Sequence, residues 1–291
     1  MISSGIAILA IAAQQTPPSF PSDPDQFQFI TSDIDRFWTV FDNSSSEDLA
    51  KNLKEKYLNG GSHGLAFFNL TKIQGADRLA DHIRSRKVDY MFLRERTLKV
   101  KEALPRIKSA FYAMKHLYPE ATFPPVYCVI GRHTSGGTAS SAGLMLGVEM
   151  SINEPDKMPY IVAHELIHFL QPKGGGNGLL AATIREGSAD WIGYLASGGL
   201  INTEQWKYGL AHEAELWKEW KAEVAGKNRV LDWISTFGQK EPRPGDLGYF
   251  IGARIAQAYY NKAADKHAAV KQIIECRDPA WLVKESGYDP R

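Results

Sequence analysis

Cysteine is nearly absent from this 291-residue chain, and the two that occur, Cys128 and Cys276, cannot build a disulfide scaffold or a four-thiolate metal site. Far apart in sequence, they read as small core residues. Charge of one sign is missing too: 34 Lys and Arg against 33 Asp and Glu leave a net charge of +1. Binding a polyphosphate backbone needs clustered cations, so no nucleic-acid partner is expected. Glycine and proline, 25 and 15 residues, are too few for a collagen-like or low-complexity chain. No transmembrane span is expected, because the apolar stretch Met1–Ala13 falls short of the roughly 20 residues a bilayer crossing requires. What remains is a globular enzyme or binding domain with ample chain to bury a core.

The opening stretch ends in Ala10-Ile11-Ala12, the small-x-small pattern of signal-peptide cleavage, although no Lys or Arg precedes it. The expectation is a signal peptide over 1–13, a proline-rich leader over 14–30, and a single catalytic domain over 31–291. The chain would then be exported, periplasmic or extracellular. No cysteine stands near the cleavage pattern to carry a lipid anchor.

From Ser32 onward apolar residues recur at helical spacing. Ile34, Phe37, Trp38 and Phe41 make one stripe, and Leu49, Leu53 and Tyr57 another. The segment from Leu79 to Tyr118 predicts two helices. Further helices are expected near Pro159–Leu170, Leu179–Ser197, Glu204–Ala225 and Gly248–Lys262. Two stretches read as strands: Val126–Ile130, which follows a Pro-Pro pair, and Leu144–Met150, which follows the Gly, Ser and Thr loop Gly131–Gly143. The fold class is α+β, predominantly helical, with a small sheet.

The sharpest chemical signal is His164-Glu165-Leu166-Ile167-His168. Residues four apart on a helix lie about 40° apart around its axis, so both imidazoles leave one face and can share a Zn²⁺. Glu165 then reaches a water on the metal as general base. Burying two histidines and a glutamate in so apolar a helix would be costly without such a partner. A catalytic zinc takes three protein ligands, and eighteen residues beyond His168 stands Glu186, the third candidate. Asp190, one helical turn further, can accept the free N–H of a ligating histidine and fix its tautomer. No HExxHxxGxxH continuation is present, which disfavours a third histidine ligand.

HExxH followed by a helix bearing ExxxD resembles the gluzincin peptidases, the thermolysin-like zincins. The segments Pro124–Met150, HELIHFLQP at 164–172, REGSADWIG at 185–193 and GYFIGARIAQAYY at 248–260 are most similar to bacterial zinc-dependent peptidases related to the gliding-motility lipoprotein B group. The resemblance covers the second half of the chain. It implies a zincin-like domain with a small sheet whose edge strand pairs with an extended peptide or protein substrate beside the metal. Leu144, Leu146 and Gly147 are the expected edge-strand residues, with the Gly136-Gly137-Thr138 loop on the rim. It also implies an oxyanion donor, for which Tyr249 is the candidate and His212 a rival. The expected function is zinc-dependent peptide-bond hydrolysis with one zinc ion. The alternative is a zinc-binding but non-catalytic envelope scaffold or assembly factor, against which the intact Glu165 argues. A hydrolase of non-peptide amides or esters is a third reading.

Overall fold

A computed structural model describes residues 19–151, 155–234, 236 and 243–291. The proposed signal peptide, 1–13, and the first part of the leader, 14–18, lie outside the described residues. The rest of the leader is not a free linker. Phe20 packs edge-on against Phe169 with ring centroids 5.3 Å apart, the carbonyl of Pro21 accepts from the amide of Phe123, and Phe29–Ile30 forms a strand. Its alternating aromatic residues find apolar partners despite the four prolines.

The architecture is predominantly helical around one four-stranded sheet. Strands β1 (Phe29–Ile30), β2 (Val126–Val129), β3 (Gly137–Ser140) and β4 (Gly143–Gly147) lie in the order β1-β2-β4-β3. The first three in that order run parallel, with Val126 opposite both Phe29 and Leu144. β3 folds back antiparallel on β4 through the tight turn at Ser141-Ala142, with Thr138 opposite Met145. β2 and β4 are buried along their whole length, which explains their continuous apolar sequences.

This topology corrects one expectation. Leu144, Leu146 and Gly147 sit on an interior strand, paired to β2 on one side and β3 on the other. The outer strands are β1 and β3, and the one beside β4 is β3, within the segment read as a loop. Its Gly-Thr-Ala-Ser sequence carries no apolar signal because the strand is only half-buried. Beyond Gly147 the chain turns helical over Val148–Ser151, so the expected strand ends three residues early.

Helices of the first half, including Ser32–Asp42 and His63–Phe68, pack against the sheet, and Tyr57 locks them there by hydrogen bonds with both the carbonyl and the amide of Ile130. Three helices of the second half carry the candidate site residues. The first, Met158–Leu170, carries HELIH and starts with Pro159, whose missing N–H costs nothing in a first turn. It stops at Gln171, which precedes Pro172 and is extended, as a residue before proline prefers. The second, Leu179–Ser197, carries Glu186 and Asp190 and closes on Gly198 in the left-handed region. The third, Leu247–Lys262, carries Tyr249. The second and third cross with backbones in contact: a Cβ on Gly187 would stand 2.2 Å from the amide nitrogen of Ala253, and one on Gly252 2.0 Å from the carbonyl oxygen of Thr183. Glycine is required at both. Among the described residues no helix is long and apolar enough to cross a membrane.

Candidate metal centre

The HELIH helix lays His164 and His168 side by side, ring centroids 4.5 Å apart and planes nearly perpendicular. Glu186 enters from the neighbouring helix. Its Oε2 lies 3.0 Å from His168 Nε2 and 3.6 Å from His164 Nε2. One ligand atom from each of the three residues falls within 4.8 Å of the others, close enough to hold a metal ion.

The outer ring nitrogens are tied down. His164 Nδ1 lies 2.8 Å from Asp190 Oδ1, an ion-pair contact, and neither atom makes a hydrogen bond among the described residues. The second oxygen of Asp190 accepts from Asn202 Nδ2 at 2.8 Å. His168 Nδ1 lies 2.9 Å from Gln171 Oε1, and the Gln171 amide donates to the carbonyl of Arg185. Both Nδ1 atoms face outward, toward Asp190 and Gln171, and both Nε2 atoms face Glu186; a proton on each Nδ1 would leave the Nε2 lone pairs for a metal. Asn202 and Gln171 escaped the sequence reading. Gln171 has a signal in retrospect, since it stands three residues after His168 where the helix ends.

The electrostatics of this cage are those of a cation site. His164, Glu165, Glu186 and Asp190 are each less than 9% exposed. Burial alone would push His164 down, but the carboxylates of Asp190 and Glu186 outweigh it and hold its pKa well above the ordinary value. Burial likewise opposes the charge on Glu186, yet the two imidazoles keep its carboxyl well below the usual range. Three buried carboxylates around two imidazoles is an arrangement that a cation would stabilise. The N, N, O donor set therefore fits a divalent metal.

Glu165 is not among the three donors. Its carboxyl is raised by burial, against the pull of His168 and His164. The edge strand crosses directly over it, since a Cβ on Gly137 would come within 2.8 Å of Glu165 Cγ and Oε1. Tyr249 stacks on His164 with centroids 6.2 Å apart. Burial first, then the nearby carboxylates of Glu186 and Asp190, raise its phenol far above the ordinary range, so it stays a donor. His212 is elsewhere: it stacks on Tyr208, pairs with Glu215 and does not line the cleft. Arg254 is likewise spent on an ion pair with Glu213.

His164, Glu165, His168, Glu186 and Tyr249 open onto one cleft of about 1080 Å³, walled by Gly136 to Ser141 on the strand side and by Gln171 to Gly174 on the other. Phe20 reaches it as well. No family model, curated protein or solved structure matches this chain.

Proposed function

We propose that this chain is an exported, zinc-dependent peptidase of gluzincin type, built on a zincin-like fold. The reading is carried by one juxtaposition: a His, His, Glu donor set, a second cleft-lining carboxylate, Glu165, outside that set, and an unpaired strand edge share a single cleft. A structural metal site is closed by four protein ligands, whereas three donors facing a cleft leave a position open.

Zinc held by His164, His168 and Glu186 would supply Lewis acidity and bring a water's pKa towards 7. The chain's own residues do the rest. β3 offers its free edge to an extended peptide, whose backbone pairs with Gly137 to Ser140. Glu165, beneath that strand, takes the proton of the attacking water and hands it to the leaving amine. The Tyr249 phenol donates to the oxygen that gains negative charge when water adds to the carbonyl. Asp190 and Gln171 hold the two imidazoles in register.

The test is metal content by mass spectrometry alongside hydrolysis of an unstructured protein. Wild type is expected to carry about one zinc per chain and Glu165→Gln to keep it while losing turnover. Full turnover in Glu165→Gln would refute the mechanism.

A further inference from the structure

The charged residues lining the cleft divide by sign. The acidic ones are Glu165 and Glu186, both at the centre, and Asp246. Asp246 is occupied, its Oδ1 accepting from the amide of Thr236 at 2.7 Å and from the Thr236 hydroxyl at 3.1 Å. The basic ones are Lys72, Lys157, Lys173 and Arg185, which arrive from four separate segments of the chain. Lys72 follows the His63–Phe68 helix and lies near enough to Glu165 to act on its charge. Lys173 stands in the loop after the HELIH helix and makes no ion pair among the described residues. Arg185 sends one nitrogen to Glu186 Oε1 at 3.2 Å, yet its side chain remains 63% exposed. Among the described residues, a chain laid along β3 meets Lys72, Lys173 and the exposed side of Arg185, and no acidic lining group beyond Glu165, Glu186 and the occupied Asp246.

We infer that the cleft selects polypeptides bearing Asp or Glu on either side of the bond lying over the metal centre. An acidic side chain gains a charge-assisted contact at Lys72, Lys173 or Arg185, while a basic one gains none and is repelled by all three. The cations are spread over several segments, so several carboxylates along an extended segment are read, not one terminal group. This deepens the peptidase reading and depends on it for the fate of the bound peptide, not for its binding.

The test uses zinc-loaded, full-length Glu165→Gln, so that binding is read without turnover. Fluorescein-labelled, C-terminally amidated peptides of equal length, rich in Glu, in Ser or in Lys, are titrated by fluorescence anisotropy. The Glu peptide is expected to bind about tenfold tighter than the Ser peptide at 50 mM salt. That advantage should fade by 500 mM salt, where the screening length falls to a few Å. A Ser peptide with a free C-terminal carboxylate should gain little. Adding Lys72→Glu and Lys173→Glu should transfer the preference to the Lys peptide, an outcome that misfolding would not produce. Equal binding of the Glu and Ser peptides, no binding of any, or a free C-terminus that suffices by itself would each overturn the inference. The peptidase reading fails separately, if wild type hydrolyses nothing that Glu165→Gln spares.

Discussion

Glu149→Gln should make the protein more stable at alkaline pH than at acid pH, relative to wild type. Glu149 follows β4 and is 1% exposed. Its Oε1 accepts from the amide of His133 at 3.3 Å, and its Oε2 has no partner. Burial pushes its carboxyl up to about 7, partly opposed by the backbone amides of Gly131, Glu149 itself and His133. In the unfolded chain a glutamate titrates near 4.3. Between those two values the folded protein holds a proton that the unfolded chain has released, so rising pH favours unfolding. The loss begins near the unfolded value and is complete above about 7. At about 1.4 kcal/mol per pH unit, the charged form costs about 4 kcal/mol, of which about 3 kcal/mol falls between pH 5 and 9. The variant keeps the Oε1 acceptor and cannot ionise. Any penalty for its unpaired amide hydrogens is the same at every pH, so the informative quantity is the difference between variant and wild type. Urea unfolding at half-unit steps from pH 5 to 9 should show that difference moving by about 3 kcal/mol in the variant's favour. In thermal melts this is a swing of roughly 6 °C for a chain of this size. Parallel profiles would refute the argument.

Three further outcomes follow from the site and its frame. Asp190→Ala removes the carboxylate beside His164 Nδ1 and should weaken metal binding about 10- to 100-fold in a competition with a chelating dye. Tyr249→Phe keeps the ring stacked on His164; kcat on a peptide substrate should fall by about 10²-fold with metal content unchanged. Gly187→Ala forces a Cβ into the backbone of Ala253 and Gly252, which overpacking values place at about 1–3 kcal/mol or more. A melting temperature equal to wild type would show that the crossing can open.

The three site-bearing helices of the second half were legible almost to the residue, because Pro159, Gly198 and sustained apolar periodicity punctuate them. The pairing of His164 with His168 was legible for a related reason, since spacing on a helix fixes which face a side chain leaves; Glu186, on another helix, was legible only through its ExxxD pattern downstream of HExxH. The remaining elements were less readable. The expected single helix over Glu204–Ala225 breaks at His212 into Thr203–Ala211 and Glu213–Ala225, with Gly209 three residues earlier the one sequence signal of the break. Leu79–Tyr118 holds three α-helices, starting at Ala76, Lys87 and Leu104, where two were expected. β3 was missed outright, since Gly, Thr, Ala and Ser make a strand there only by pairing with β4. Its neighbour β4 was then taken for the edge because apolar alternation reports burial, not position in a sheet. The cationic lining was invisible for the same reason: Lys72 and Arg185 are more than a hundred residues apart and meet only through the fold.

The site and the core explain each other. Glu165, Glu186 and Asp190 are buried together, and each desolvated carboxylate costs several kcal/mol unless compensated. Water reaches Glu165 and Glu186 from the cleft, but the carboxylates can separate only if the helix bearing Glu186 moves. That helix cannot slide freely. Gly187, next in sequence to Glu186, lies against the backbone of Gly252, and Trp220 bonds Thr183 one turn earlier at 3.0 Å. A glycine in mid-helix weakens a helix in isolation; here it lets two backbones touch and so fixes the depth at which Glu186 faces the histidines. The surrounding apolar side chains, Phe250 and Trp220 among the largest fully buried, offset what the cage costs. The rigid core thus holds the three carboxylates close together, and that closeness is what makes a bound cation favourable.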